Sequence, residues 1–102
     1  IDERVTYDPF EPLPRQFVGP VHCAEPSNDG LIYVCDRGAD RIQVFRTDGT
    51  FVKEGQVAPL TLAGSTWDIS FSPDEAQEFI YVADGGNFNI HILNLQVSIF
   101  IF

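Results

Sequence analysis

The sequence has few basic residues and no long apolar run. Its six lysines and arginines stand against fifteen acids, which gives a formal net charge of −9. Nucleic acids and anionic membranes both need a basic partner surface, so neither fits this chain. The longest apolar run covers residues 97–102 and is interrupted by Ser98, whereas a bilayer span takes roughly 20 apolar residues. We therefore expect no nucleic-acid partner and no membrane span.

Methionine is absent and cysteine is scarce. The chain starts at Ile1 without any methionine, so we expect a processed chain or a fragment of a longer protein. Two cysteines are too few for a disulfide framework. If they lie on adjacent strands of a short hairpin, Cys23 faces Tyr33 and Cys35 lies one diagonal step away, too far for an unstrained disulfide bond. We predict two free, buried thiols.

The sequence is rich in apolar side chains. They make up 44% of the 102 residues, and nine residues are phenylalanine. This content does not match a disordered chain, and the length fits one domain of about 100–150 residues. No amphipathic helical period occurs, so strands are expected.

The chain contains an internal repeat, the signature of a repeat architecture. YVCD at residues 33–36 recurs as YVAD at residues 81–84, a shift of 48 residues. The positions that follow stay in step: Gly38, Ile42, Val44 and Phe45 fall opposite Gly86, Ile90, Ile92 and Leu93. Upstream of the motif the match slips by one residue. There Ile69 falls opposite His22, and Trp67 and Asp68 fall opposite Pro20 and Val21.

Each copy has the pattern of short antiparallel strands. LIYVC (31–35) is β-branched and aromatic and apolar on both faces, so it should lie between two other layers. TDGT (47–50) is a hairpin turn. The predicted strands are 21–25, 31–35, 41–46 and 50–54 in the first copy, and 67–72, 79–83, 89–94 and a poorer fourth strand in the second.

These motifs resemble NHL repeats, the units of a β-propeller family. The family hallmark is an apolar pair, Val, Ala, Asp, a short Gly/Asn loop and then Arg-Ile-x-Val-Phe. IYVCDRGADRIQVFRTDGTFVKE keeps almost all of it, and IYVADGGNFNIHIL keeps it less fully. The resemblance implies an all-β chain of two four-stranded blades from a six-bladed ring. Its parts are a Pro-rich leader or a strand from a preceding blade (1–18), blade 1 (19–54), a connection (55–66), and blade 2 with an apolar outer strand (67–102).

In such a propeller, one rim collects the loops after the second strands and the segments that lead into the first strands. The ligand-binding candidates on this rim are His22, Arg37, Asp40, Arg41, Trp67, Asp68, Asn87 and Asn89. Both copies carry Asp36, Gly38, Asp84 and Gly86 at matching positions, so we assign these residues to the turns. Each aspartate should accept hydrogen bonds from backbone N–H groups two or three residues further on. Arg41 most simply pairs with an acid across its loop, a contact worth about 0–1 kcal/mol if it is exposed.

Two departures from the repeat are candidates for a specific function. His22 faces the channel, and NHL-like propellers that resemble peptidyl-amidoglycolate lyases hold a divalent metal with channel histidines. A tetrahedral zinc site takes three or four ligands, and His91 lies on a third strand away from the axis. His22 is therefore either a metal ligand completed by other blades or a hydrogen-bonded strand histidine. Trp67 beside Asp68 fits a sugar or cationic ligand, or packing between blades.

Three functional hypotheses remain open. A non-catalytic binding or assembly module is favoured, with no catalytic residues and no certain cofactor, because no complete catalytic motif is present. Its partners would be other propeller blades, from the parent chain or from further copies, and other proteins. The alternatives are part of a secreted six-bladed enzyme, a lyase or hydrolase with a divalent metal in the complete ring, and a small lectin of two-blade chains. The resemblance implies an extracytoplasmic location, secreted or periplasmic.

The number of repeats also predicts association. Propellers have about four to eight blades, so two blades cannot close a ring. The segment Ile99–Phe102 falls where the first copy has its charged outer strand, and an outer strand normally carries charge to prevent sheet growth. We therefore expect no lone monomer, and a trimer is the simplest closed assembly.

Overall fold

The structure, a computed structural model, describes residues 16–95. It contains seven strands: β1 (Val21–Pro26), β2 (Leu31–Asp36), β3 (Arg41–Arg46), β4 (Phe51–Gln56), β5 (Asp68–Phe71), β6 (Phe79–Asp84) and β7 (Asn89–Asn94). A short 3-10 turn, Arg37–Ala39, is the only helical segment in this part of the chain. The all-β prediction is confirmed. Most of the predicted leader and the predicted outer strand at 99–102 lie outside the described residues. Residues 16–95 contain no helix that is long and apolar enough to cross a membrane.

The first sheet is antiparallel with the strand order β1-β2-β3-β4. Its second strand is buried on both faces as predicted, because Tyr33 is fully buried on one side and Val34 is 7% exposed on the other. The turn between β3 and β4 places Gly49 at φ +91°, a conformation that favours glycine. The Asp48 carboxylate accepts a hydrogen bond from the Thr50 N–H group at 2.8 Å and closes this turn.

The prediction of two free thiols is wrong, because Cys23 and Cys35 form a disulfide bond. The pairing of β1 with β2 shifts between Val21 and Cys23, where a β-bulge adds one residue. The resulting register sets the two cysteines directly opposite each other, with their Cα atoms 4.8 Å apart, and places Glu25 opposite Tyr33. The diagonal geometry assumed from the sequence does not occur.

The second sheet has the strand order β5-β6-β7. Ala83 matches Cys35 in the repeat, and its partner across the sheet is Asp68. Asp68 therefore corresponds to Cys23, and Trp67, not Ile69, takes the place of His22. The sequence match upstream of β6 was wrong because the loop at residues 72–78 is three residues longer than its counterpart at residues 27–30.

The two sheets pack face to face around one apolar core. Its buried members include Tyr33, Cys35, Ile42 and Val44 from the first sheet, and Ile69, Ile80 and Val82 from the second. The rings of Tyr33 and Phe71 meet edge to face across the interface, with centroids 5.1 Å apart. Burial, with a smaller contribution from Asp29, raises the pKa of Tyr33 to about 12.

The outer sides of the two sheets differ. On the far face of the first sheet, Val34 is nearly buried and Gln43 is fully buried, and Phe17 packs edge to face against Phe45 with centroids 5.6 Å apart. Side chains alternate along a strand, so the second sheet turns outward the residues between its core positions. We call these the open face: Phe79, Tyr81, Ala83, Ile90 and Ile92. Ile90 and Ile92 are each 66% exposed.

Candidate functional site

Four segments meet at one edge of the two sheets, which we call the loop edge. They are the loops after β2 (37–40) and β6 (85–88), and the segments that lead into β1 (16–20) and β5 (57–67). Glycines permit the close approach: a Cβ atom on Gly38 would collide with the Gly19 carbonyl, and one on Gly86 would lie 2.6 Å from the Gly64 oxygen. We expected these segments on one rim, and the structure brings them together.

A buried ion pair lies at the loop edge of the first sheet. The side chains of Asp36 and Arg41 are both fully buried, and Arg41 Nη2 lies 2.8 Å from Asp36 Oδ2. Arg41 also contacts Glu54 Oε2 through Nη1 at 3.1 Å and donates to the Gln16 carbonyl through Nη2 at 2.8 Å. The expected ion pair therefore forms, but in the interior and not at the surface.

Asp36 does not close its own turn. No side-chain hydrogen bond from it caps the following 3-10 turn. Its carboxylate instead accepts the Val18 N–H at 3.0 Å and the Gly19 N–H at 2.7 Å, and these two groups together with Arg41 occupy it. Asp36 thus ties the end of β2 to the segment leading into β1.

Asp40 is an internal tie between the two sheets. It is fully buried, and its backbone is left-handed with φ +54°, which aspartate tolerates better than most residues. Its carboxylate accepts the Thr61 N–H at 3.1 Å and the Ser65 N–H at 3.0 Å. Its carbonyl accepts the Val57 N–H at 2.8 Å. The Asp40 carboxylate therefore holds the segment that leads into β5.

Asp84 makes the local turn contact that the sequence predicts. It accepts the Asn87 N–H, three residues on, at 3.0 Å, and the Asn87 amide at 2.7 Å. His91 Nε2 lies 2.8 Å from its second oxygen. Burial alone would raise the pKa of Asp84, but the hydrogen bonds from Asn87 and His91 outweigh it, so the pKa lies below the ordinary 3.8.

The second cluster at the loop edge is formed by His22, Arg37 and Trp67. His22 Nδ1 donates to the Trp67 carbonyl at 3.0 Å, which leaves Nε2 of the neutral ring as an acceptor for Arg37 Nη1 at 3.3 Å. The guanidinium carbon lies 4.0 Å from the centre of the Trp67 ring. Arg37 Nε donates to the Ala63 carbonyl at 3.0 Å, and Trp67 Nε1 donates to the Gly64 carbonyl at 2.7 Å.

This His22–Arg37–Trp67 cluster is better suited to an anion than to a metal. Both nitrogens of His22 are engaged, so a metal ion would have to displace Arg37. Within residues 16–95 no group of three or more His, Cys, Asp or Glu side chains is placed to hold a metal. A carbonyl, an imidazole and an indole ring hold the Arg37 guanidinium, all of them neutral. A guanidinium held in this way can bind a carboxylate or another planar anion.

The other rim candidates are dispersed. Asn87 bonds Asp84 and Thr61 and belongs to the turn. Asp68 and Asn89 are exposed, and the Asp68 carboxylate accepts the N–H of the next residue in the chain. The structure therefore brings three of the eight candidates into one cluster and uses Asp40, Arg41 and Asn87 as internal ties.

Two residues that bind the buried side chains at the loop edge were not among the candidates from the sequence. Glu54 contacts Arg41, and His91 contacts Asp84. His91 lies opposite Val82 in the second sheet, one diagonal step from Asp84 on the same face, where side chains reach each other. The strand register alone carries this signal. Glu54 lies opposite Gln43 in the first sheet, one diagonal step from Arg41.

At the opposite edge the sheets meet through their β1–β2 and β5–β6 loops. The Asn28 N–H donates to Gln77 Oε1 at 2.7 Å, and the Asn28 amide donates to the Glu75 carbonyl at 3.1 Å. A cleft of about 380 Å³ opens beside these contacts. Its lining residues are Asn28, Asp29, Glu75, Ala76, Gln77 and Leu95.

The fold and the loop edge together describe a structural class. The described chain is a pair of stacked antiparallel sheets, and at one edge each sheet has a loop that starts with an aspartate followed two residues later by a glycine. No family model, no curated protein and no solved structure matches the chain.

Proposed function

We propose that this chain is a binding or assembly module of an NHL-type β-propeller and contributes two blades to a larger ring. The observation that carries the proposal is the open face of the second sheet. Blades of a propeller bury both faces against their neighbours, and here only the inner face of the second sheet has a neighbour in the described chain. The NHL resemblance of both loops supports the same reading.

The open face provides a driving force for assembly. Full burial of an isoleucine side chain contributes about 1.5–3 kcal/mol. Because Ile90 and Ile92 are each 66% exposed, covering these two alone would contribute roughly 2–4 kcal/mol on that scale. Contiguous exposed apolar patches on soluble proteins mark interaction sites, so we expect the face to be covered in the assembled protein.

Light scattering on the purified chain tests this proposal. We expect a mass above 11.4 kDa, and we expect Ile90→Lys with Ile92→Lys to return the chain to that mass. Leu62→Lys is the matched control, since Leu62 is 83% exposed but lies in the segment leading into β5. A monodisperse monomer without substitution would contradict the proposal, as would an equal effect of the control.

The His22–Arg37–Trp67 cluster favours a second candidate, part of a secreted six-bladed propeller enzyme acting as a lyase or hydrolase. The support is a guanidinium held ready for an anionic group where four segments meet. A divalent metal in the complete ring has less support, because His22 already bonds Trp67 and Arg37. The lectin hypothesis loses its basis, because Arg37 covers the indole face that a sugar would need.

Trp67 is the only tryptophan, so its fluorescence reports on this cluster. We expect acetate or oxalate to change that fluorescence in the unaltered chain but not in Arg37→Gln, with Arg46→Gln as the matched control. Elemental analysis of the purified chain tests for a stoichiometric divalent metal. The absence of both signals would remove this candidate.

We also propose an extracytoplasmic location. Disulfides persist in oxidising compartments and are rare in reducing ones, and the Cys23–Cys35 bond supports this location. Mass determination of the chain from its native host, with and without alkylation, would reveal free thiols if the location is reducing.

A further inference from the structure

The open face repeats the surface on which the second sheet already sits. The first sheet contacts the second through Leu31, Tyr33, Cys35, Ile42 and Val44. The residues 48 positions further along the chain form the open face. They are Phe79, Tyr81, Ala83, Ile90 and Ile92. The contact surface between the two sheets therefore recurs, position by position, on the free side of the second sheet.

The surface that fits such a face is known from the existing interface. It is the inner side of the second sheet, which carries Ile69, Phe71, Ile80, Val82 and Leu93. Tyr81 repeats Tyr33, whose ring meets Phe71 edge to face, so the covering surface should offer an aromatic edge there.

A second copy of this chain does not offer that surface. The inner side of its second sheet is already packed on its first sheet. The far face of its first sheet is the other equivalent surface, but Val34 and Gln43 are buried there and Phe17 covers Phe45. Docking of a second copy in the same way would first have to uncover one of these faces, so the association expected of the lone chain joins open face to open face and is less specific.

We infer that the open face is the docking surface for a third antiparallel sheet of the same repeat. This inference rests on the proposed function, in which the face is an assembly surface, and it names the occupant. The occupant presents alternating apolar side chains in the pattern of the second sheet's inner side.

Two sites on the second sheet differ from their counterparts on the first sheet. These differences predict how the third sheet differs from the second. Phe88 replaces Asp40 and keeps its left-handed backbone, φ +58° against +54°, but its ring is 95% exposed. A phenyl ring cannot accept backbone N–H groups as Asp40 does, so the natural third sheet should meet it with apolar side chains. Asp68 and Ala83 replace the disulfide and border a recess of about 200 Å³, which the third sheet should fill with a larger side chain.

A lengthened chain tests the occupant, with residues 55–95 repeated after residue 102, where the 48-residue shift continues the repeat. The added copy also carries Ile90→Lys and Ile92→Lys, so that it does not present a second open face. The added copy brings the inner side that fits the open face. We expect the lengthened chain to be monomeric under conditions where the original chain associates, and to protect the β7 amides from hydrogen exchange at least about tenfold more strongly. The matched control carries Ile80→Asp and Val82→Asp in the added copy only, and it should associate as the original chain does.

The outcomes separate the inference from the proposed function. If the original chain associates through Ile90 and Ile92 but the lengthened chain associates equally, the occupant is not a third sheet and the assembly proposal stands. If the original chain is monomeric but the lengthened chain gains β7 protection, the inference stands and association of the lone chain fails. If neither chain associates and no protection appears, both are overturned.

Residue 88 has a test of its own. In the lengthened chain, Phe88→Asp in the first copy restores a carboxylate opposite the added counterparts of Thr61 and Ser65. We expect the docking equilibrium to strengthen roughly tenfold or more, measured as further β7 protection, with no such gain in the original chain. Equal protection with Phe and Asp would show that this position does not control docking.

Discussion

The two sheets carry the same strand-end aspartate, and they use it differently. Asp36 is bonded to Arg41 and to the backbone of the segment leading into β1. Asp84 is bonded within its own turn to Asn87 and from the neighbouring strand to His91. Both carboxylates are buried, so the difference lies in what each one holds.

The neighbouring strand accounts for this difference. Arg41 lies opposite Asp36, whereas the shorter Asn89 lies opposite Asp84. A guanidinium has several donors, and it joins Asp36, Glu54 and the Gln16 carbonyl into one network. Because no arginine lies opposite Asp84, its carboxylate bonds to Asn87 in its own loop and to His91. A repeated motif therefore specifies where a side chain lies, and its neighbours specify what it does.

The largest expected effect comes from removing the carboxylate of Asp36. Asp36→Asn removes the buried carboxylate that pairs with the buried guanidinium of Arg41, so we expect a loss of about 3 kcal/mol in the free energy of unfolding. Urea denaturation measures it. Asp36→Asn with Arg41→Met should recover much of the loss because the buried guanidinium is removed together with its partner, and no recovery would contradict a role based on charge.

The second-largest effect on the unfolding free energy is expected from removal of the disulfide, which only the first sheet contains. Cys23→Ser with Cys35→Ser should cost about 2–4 kcal/mol of unfolding free energy in denaturation experiments. The reverse change sharpens the comparison: Asp68→Cys with Ala83→Cys should form a second bond, since these positions share the register of the cysteines. Thiol titration that finds the new cysteines free would show that the two registers are not equivalent.

A smaller effect is expected at Asp84. Asp84→Asn should lower the unfolding free energy by about 1–2 kcal/mol at neutral pH, because it weakens the hydrogen bonds to Asn87 and His91. The pKa of Asp84 is lowered in the folded state, so its contribution is present above the ordinary value and is lost as pH falls through the folded value. Unfolding measured from pH 5 down to about 2 should therefore converge for the two chains. Parallel curves would mean that the ionised form is not favoured by folding.

The smallest effect is expected from Asn89→Arg, which copies Arg41 into the second sheet. Residue 89 is exposed and Asp84 is already bonded to His91, so the new ion pair should change the unfolding free energy by less than about 1 kcal/mol. Thermal denaturation measures it, with Asn94→Arg on the same strand as the control. A gain as large as the loss in Asp36→Asn would mean that arginine alone builds the network.

The strands were predictable because their signal is local. Alternating and continuous apolar runs bounded by Asn-Asp-Gly, Thr-Asp-Gly-Thr and Asp-Gly segments locate seven strands close to their observed bounds. The contact of the loops with the leading segments was also predictable, because it follows from the order of the strands. The pairing of the cysteines was not, because a bulge at His22 shifts the register by one residue.

The candidate site was predictable only as a set of positions. His22, Arg37 and Trp67 were all among the candidates, but the match that should place Trp67 opposite His22 detected only one of the three extra residues in the loop at 72–78. Arg41 and Asp40 were expected at the surface. Both are fully buried, since the segments at 16–18 and 61–65 fold over them and such long-range contacts leave no local pattern.

Other residues cover the far face of the first sheet, whereas the open face of the second sheet is exposed. The two ends of this pair of sheets therefore differ in their ability to accept a further sheet. Duplication of a repeat after residue 95 would add a unit to a surface that accepts it. Duplication ahead of β1 would have to force a unit between the first sheet and the residues that cover it. Growth of this protein by gene duplication is therefore expected to proceed from one end, and circular permutants that open the chain within residues 72–78 should be tolerated better than those that open it within residues 16–20.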